Sequence, residues 1–200
     1  MSYRVVPGTH FIISNILYNY IENKLNIKLD LSAFVWGNLR PDFDKKHIRC
    51  SHTLEGSLDL INFYADKIIQ NNMSITEFSM LLGVICHFTC DYFCIYHSKE
   101  YWRKDMIEHF TYEILLHVKL LIFLNRGNLK IRYNYKQEES MEALLKNILK
   151  RYNLKEKSLT KDLVYAIKAS ASVSEFIITS SYIYRKNIKN SLNETNAIPN

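Results

Sequence analysis

Apolar residues recur every three or four positions along most of this chain, which is the spacing that aligns side chains on one face of an α-helix. Ile12, Ile16 and Ile21 form the first such stripe, after a candidate N-cap at Thr9. The same spacing predicts further helices over residues 31–36, 53–70, 74–96, 105–124, 138–151 and 159–189. The helix over 31–36 is expected to end at Gly37. The pattern therefore indicates an all-α chain.

The predicted helix over residues 74–96 differs from the others because it is apolar on nearly every side. Ser74 and Glu77 occupy the positions of a capping box at its start. A helix without a polar face is usually enclosed by other elements. We therefore expect this helix at the centre of a bundle.

The composition supports a single helical domain. The chain has 200 residues but only 5 glycines and 3 prolines, too few turn-forming residues for an all-β fold. This length is enough for one sizeable core, and no internal repeat or low-complexity linker divides it. We expect a single-domain multi-helix bundle over residues 1–190, with residues 191–200 as a frayed tail.

Several features predict a cytoplasmic protein without a transmembrane segment. No stretch reaches the roughly 18 apolar residues of a membrane span, and the first residues lack the apolar core of a secretory signal. Cys86, Cys90 and Cys94 repeat every four residues on one predicted helix, where neighbouring thiols cannot easily bridge. We interpret them as small buried residues, with Cys94 near enough to Asp91 in sequence to line a site.

The formal charge of +6 is unevenly distributed along the chain. It amounts to +7 from Arg126 onward and to −1 over the first 125 residues. A positive distal part could attract phosphate-bearing partners, although a solvated helix surface is the simpler interpretation.

Side chains that bind metals are concentrated between residues 87 and 113. His87 and Asp91 are four residues apart, as are His109 and Glu113, so each pair shares one helix face. His97 lies between the two pairs. An imidazole and a carboxylate so arranged can reach one zinc ion. Two such pairs with a further ligand between them indicate a site for several metal ions. A site with several metal ions is an arrangement that hydrolyses phosphate esters.

Three residues nearer the N-terminus extend this set: His10 opens the first helix, Asp42 follows Pro41, and His52 follows ten residues later. The ordered set resembles the zinc-dependent phospholipase C family, which shares its fold with the S1/P1 nucleases. The resemblance rests on Thr9-His10-Phe11, Gly37-Asn38-Leu39-Arg40-Pro41-Asp42, His52 and the pattern H-x3-D-x5-H-x11-H-x3-E over residues 87–113. These elements span residues 8–113. The family is all-α and holds three zinc ions in a cleft, so the resemblance implies that architecture here.

Carried over position by position, the resemblance implies two zinc sites and part of a third. The first zinc would be held by Asp42, His52, His87 and Asp91. The second would be held by His97, His109 and Glu113. The third would be bound by His10, with Asp91 bridging the first and third ions. Asp42 is also the candidate general base. His47 is the alternative to His52, which we favour.

The chain departs from the family at the third zinc. There the family uses the amino group and carbonyl of an N-terminal tryptophan, whereas this sequence begins Met1-Ser2 and its Trp36 and Trp102 are internal. We therefore expect two zinc ions and leave the third open. His117, one turn beyond Glu113, is either a spare ligand or an ordinary histidine.

Together these observations predict a zinc-dependent hydrolase of phosphoric esters, similar to a phospholipase C, in which a zinc-activated water attacks a phosphodiester. A phospholipid headgroup is the favoured substrate, since the 14 Tyr and 10 Phe could supply an apolar rim.

The same aromatics could stack nucleobases, so an S1/P1-type nuclease or nucleotidase remains an alternative. A non-catalytic metal-binding or interaction protein on the same scaffold is another. HD-type phosphohydrolases are disfavoured because no His is followed directly by Asp. The oligomeric state stays open.

Overall fold

A computed structural model describes residues 7–44, 47, 50–97, 106–127 and 138–186. Within these residues the protein is built of α-helices, and this described part contains no strand. The helices are α1 Pro7–Leu25, α2 Leu31–Leu39, α3 Leu54–Gln70, α4 Ile75–Asp91, α5 Met106–Asn125, α6 Met141–Asn153 and α7 Leu159–Ser180. Two 3-10 turns, Arg40–Asp42 and Ile95–His97, follow α2 and α4. The prediction of an all-α fold is confirmed.

Helix α4 lies at the centre of the bundle, as its all-round apolar sequence predicted. All residues from 81 to 91 are buried, and the helix packs against α2, α3 and α7. Ser74 caps it, because the Ser74 hydroxyl accepts the backbone N–H of Glu77 at 3.1 Å. The Glu77 carboxylate forms an ion pair with Lys67 at 2.8 Å, which ties the start of α4 to α3.

Helices α2 and α4 approach each other backbone to backbone through two glycines. A Cβ on Gly37 would lie 2.1 Å from the Met80 carbonyl oxygen, and one on Gly83 would lie 2.3 Å from the Phe34 carbonyl oxygen. A side chain at either position would prevent this approach. Gly37 lies inside α2, so the predicted end of that helix at Gly37 was wrong. The glycine there allows helix packing instead of ending the helix.

Other predicted helix ends also differ from the structure. Helix α1 begins at Pro7, whose missing N–H costs nothing in the first turn, so Thr9 lies inside the helix and does not cap it. Helix α4 ends at Asp91 rather than near residue 96, and α7 ends at Ser180 rather than near residue 189. Residue 105, Trp102 and the tail 191–200 lie outside the described residues.

Helix α5 has one face buried against the bundle and one exposed apolar face. Glu113, Leu116 and Leu120 are buried against the bundle, whereas Ile107 and Phe110 on the outer face are 72% and 54% exposed. In the part of the chain that the structure describes, no helix has both the length and the apolar character needed to cross a membrane.

The cysteines are free thiols. Cys86 and Cys90 are buried in α4, within 3.2 Å of the hydroxyls of Ser174 and Ser170 on α7. Cys94 is half-buried just beyond the end of α4. The interpretation of these residues as small packing side chains agrees with their positions.

Candidate metal centre

Asp91, the last residue of α4, is the point at which three histidines meet. Its Oδ1 lies 3.3 Å from Nε2 of His10. Its Oδ2 lies 3.1 Å from Nε2 of His87 and 2.5 Å from Nδ1 of His52. Asp91, His10 and His87 are buried, and His87 lies one helical turn before Asp91 on the same face, as their spacing predicted. A single carboxylate therefore joins residues from α1, α4 and the segment before α3.

Asn38 of α2 orients two of these histidines. The Nδ1–H of His87 donates to the Asn38 backbone carbonyl at 2.8 Å, and the Nδ1–H of His10 donates to the Asn38 side-chain oxygen at 3.1 Å. Both rings thereby direct Nε2 toward Asp91, and they stack with centroids 4.2 Å apart. Metal-ligating histidines are commonly held by such a second hydrogen bond. The sequence analysis missed this role, although a buried asparagine in an apolar helix needs partners and was a usable signal.

Asp42 ends the 3-10 turn after α2, and the close packing of α2 on α4 brings it to His87. Its Oδ1 lies 3.7 Å from His87 Nε2. Asp42 Oδ2 is buried and has no hydrogen-bond partner in the described part of the chain, and the buried His87 Nε2 faces carboxylate oxygens of both Asp42 and Asp91. Buried polar atoms without a partner are costly, and a bound cation would satisfy both. The geometry therefore fits a metal ion at this position.

A second cluster is built by α5 and by the turn that follows α4. His109 and Glu113 lie one helical turn apart, with Nε2 and Oε1 2.8 Å from each other. The ring centroid of His97 lies 5.2 Å from that of His109 and 5.5 Å from that of His52. His97 reaches both neighbours because α4 ends at Asp91 and the chain turns back there.

Three sets of side chains could each hold a metal ion, since the ligand atoms of each set lie within 4.8 Å of one another. The sets are His10, His87 and Asp91; His52, Asp91 and His97; and His97, His109 and Glu113. Asp91 and His97 each belong to two sets, so the three form a continuous row. The resemblance implied a different division, with His10 apart from His87 and His52 apart from His97. Imidazole nitrogens and carboxylate oxygens together suit zinc.

Burial and the neighbouring charges shift the pKa values of the clustered side chains in different directions. Burial alone would raise the pKa of Asp91, but the surrounding histidines hold it well below its usual value. Burial alone would lower the pKa of His10, yet Asp91 and Asp42 outweigh burial and raise that pKa to about 9. For His97 burial prevails and lowers the pKa to about 3. The raised pKa favours a protonated His10, so that a proton would compete with a metal ion there, whereas the lowered pKa of His97 favours the neutral form that binds metal.

Two histidines that the sequence left as alternatives make other contacts. His47 Nε2 lies 3.0 Å from the Tyr64 hydroxyl, so His52 and not His47 joins the cluster. His117 Nδ1 lies 3.1 Å from the Thr9 hydroxyl and links α5 to α1. The structure therefore gives His117 a packing contact outside the three sets.

Asp162, near the start of α7, forms hydrogen bonds with the two segments that carry the second cluster. One of its oxygens accepts the backbone N–H of Ile95 at 3.3 Å and the hydroxyl of Tyr112, while the other accepts the hydroxyl of Tyr152 at 2.8 Å. Ile95 begins the turn that carries His97, and Tyr112 precedes Glu113 on α5. One buried carboxylate thus fixes both segments. The sequence analysis missed Asp162, because no local spacing relates residue 162 to residues 95 and 112.

A helical bundle with a row of histidine and carboxylate clusters at the end of its central helix defines a helical protein with a candidate metal centre. The model of one protein family, described as zinc dependent phospholipase C, matches residues 9–190. The chain belongs to the zinc-dependent phospholipase C family. No curated protein and no solved structure matched the chain. The family confirms the resemblance that the sequence suggested, and its name implies zinc as the metal.

Proposed function

We propose that the chain is a zinc-dependent phosphoesterase that cleaves phospholipids at the headgroup phosphodiester, as a phospholipase C does. The observation that carries this proposal is the row of three candidate metal sets joined through Asp91 and His97. Neighbouring metal ions suit phosphoryl chemistry because they can balance charge on both sides of the phosphorus. We also propose that a single domain over residues 1–190 holds the centre.

The proposed ligands come from the helices α1, α4 and α5 and from the segments that connect helices. They are His10, Asp42, His52, His87, Asp91, His97, His109 and Glu113. We propose two zinc ions, with a third dependent on His10. When bound, zinc supplies positive charge that acidifies water and polarises a phosphoryl oxygen.

Asp42 is the proposed general base. Its Oδ2 is buried and, among the described residues, has no hydrogen-bond partner, so it is available to accept a proton from the attacking water. Burial raises the pKa of Asp42, which makes its carboxylate a stronger base than an exposed aspartate. Asn38 keeps His87 in position beside it.

The outer face of α5 favours a lipid over a nucleic acid as substrate. Its exposed apolar residues are Ile107, Phe110, Ile114, Leu115, Val118, Leu121, Ile122 and Leu124. The exposed positions between residues 110 and 118 carry no charged side chain. The inner face of the same helix carries Glu113, so a lipid on the outer face would lie about 10 Å away, one helix diameter. A nucleic acid would need positive charge there to contact its phosphates.

The test is zinc content followed by a substrate panel. Protein purified without chelator is expected to hold two or three zinc ions per chain and to hydrolyse phosphatidylcholine faster than single-stranded nucleic acid or nucleotide monophosphates. Glu113→Ala is expected to abolish turnover and to leave the helical circular dichroism unchanged. Zinc without hydrolysis of any phosphoester would instead support a non-catalytic metal-binding protein, and faster nucleic acid cleavage would support a nuclease.

We expect Phe110→Asp to lower hydrolysis of phosphatidylcholine vesicles by about tenfold, because it removes one aromatic anchor from the outer face of α5 and adds a charge. Hydrolysis of monomeric dihexanoyl phosphatidylcholine measures the centre without a lipid surface. Phe63→Asp on α3 is the matched control, since Phe63 is 61% exposed and Phe110 is 54% exposed. Equal losses in both variants, or equal losses on vesicles and monomers, would contradict a lipid-docking face on α5.

A further inference from the structure

A cleft of about 450 Å³ opens beside the candidate metal centre, between the start of α3, the turn after α4 and the connection from α6 to α7. Its lining includes Lys155, Lys157 and Lys161, together with Thr53 and His97. Cys94 and His97 also line the cavity that contains His10, Asp91 and Glu113. The cleft therefore borders the proposed catalytic centre at His97.

Lys161 is unusual because its side chain is buried, with 8% of the residue exposed. Its Nζ donates to the Lys155 carbonyl at 3.0 Å and lies 4.0 Å from the centroid of the Tyr152 ring. Among the described residues, no carboxylate forms an ion pair with Lys161. The Lys161 ammonium is part-buried at the wall of the cleft, and one carbonyl acceptor leaves two of its three protons for a ligand.

The charges around the cleft also favour an anion. Three lysines and one acidic residue, Glu55, line it. The neighbouring carboxylate of Asp162 is occupied by Tyr112, Tyr152 and the backbone N–H of Ile95, and it does not line the cleft. The lining therefore carries two net positive charges. Lys155 and Lys157 are exposed, so salt screens their charges more strongly than that of Lys161.

We propose that this lysine cleft binds an anionic headgroup, a phosphate or similar group that the substrate carries in addition to the phosphodiester cleaved at the metal centre. The inference rests on the proposed phosphoesterase function for the position of the scissile bond. It predicts that the preferred substrate is a phospholipid with a phosphorylated headgroup rather than a zwitterionic one. The ammonium groups would contact the second phosphate as point charges and hydrogen-bond donors.

The first test compares zinc-loaded protein on two dihexanoyl phospholipids, phosphatidylinositol 4-phosphate and phosphatidylcholine, below their micelle concentrations. We expect kcat/KM to be at least tenfold higher for the phosphorylated headgroup. The double variant Lys155→Glu, Lys157→Glu should reduce that ratio at least tenfold. Lys28→Glu is the control, because the neighbouring Asp30 contacts Ser79 in the first half of α4, about 18 Å along the helix from Asp91.

The second test measures binding of free inositol 1,4,5-trisphosphate to the same zinc-loaded proteins by calorimetry at physiological salt. A Kd weakened at least tenfold by the double variant, but not by Lys28→Glu, would support the cleft even if no lipid were hydrolysed. Binding of the free headgroup without a preference between the lipids would point to a soluble phosphate ligand. Equal kcat/KM for both lipids and equal Kd for all variants would overturn the lysine cleft and leave the phosphoesterase proposal standing.

Discussion

Asp91→Ala is expected to lose at least one zinc ion per chain and to lower phosphodiester turnover roughly a thousandfold, equivalent to about 4 kcal/mol of transition-state stabilisation. The reason is geometric. Asp91 contacts His10, His52 and His87 through its two oxygens, and it belongs to two of the three candidate metal sets. Its removal takes away a negatively charged ligand that two sets share, and it leaves His10, His52 and His87 without the carboxylate that they have in common.

Elemental analysis of zinc and turnover of dihexanoyl phosphatidylcholine check this prediction. Asp66→Asn is the matched control, since Asp66 is an exposed aspartate on α3 and should leave zinc content and turnover unchanged. Helical circular dichroism separates loss of metal from loss of fold. Full zinc occupancy in Asp91→Ala would show that Asp91 is not the link between the metal sets.

The sequence predicted the helices well because apolar spacing reports helix faces directly, but it predicted their ends less well. Thr9 has the chemistry of an N-cap, yet Pro7 starts α1 two residues earlier. Gly37 resembles a helix stop, yet α2 continues to Leu39 because the glycine lets α4 approach. For Thr9 a neighbouring proline outweighed the local capping preference, and for Gly37 a tertiary contact outweighed the local preference for a helix end.

The candidate ligands could be proposed from the sequence because i,i+4 spacing and ligand chemistry are local properties. The residues that hold these ligands in place could not be proposed from the sequence. Asn38 acts on His87 and His10 across 49 and 28 positions of sequence, and Asp162 acts on Ile95 across 67. The lysine cleft likewise forms where α6 and α7 meet the turn after α4. Contacts of this range follow from packing and leave no periodic signal.

The packing of α2 on α4 connects the fold to the metal centre. Gly83 allows this approach, because a Cβ there would lie 2.3 Å from the Phe34 carbonyl oxygen and 2.9 Å from the Asn38 backbone nitrogen. The atoms in its way belong to backbone, which cannot rotate aside as a side chain does. Asn38 holds His87 and His10 through hydrogen bonds of 2.8 and 3.1 Å, so any displacement of α2 reaches both histidines.

Gly83→Ala is therefore expected to destabilise the protein by about 2 to 3 kcal/mol, because overpacking outweighs the better helix propensity of alanine. Zinc affinity should fall by at least about tenfold, as it does when the hydrogen-bond partner of a metal-binding histidine is lost. Denaturant unfolding and competitive zinc titration measure the two effects. Gly8→Ala is the control, because the atoms nearest to its Cβ would belong to the His117 side chain, the first at 3.0 Å, and an imidazole can move. If the two variants behaved alike, close packing of α2 on α4 would not determine the geometry of the metal centre.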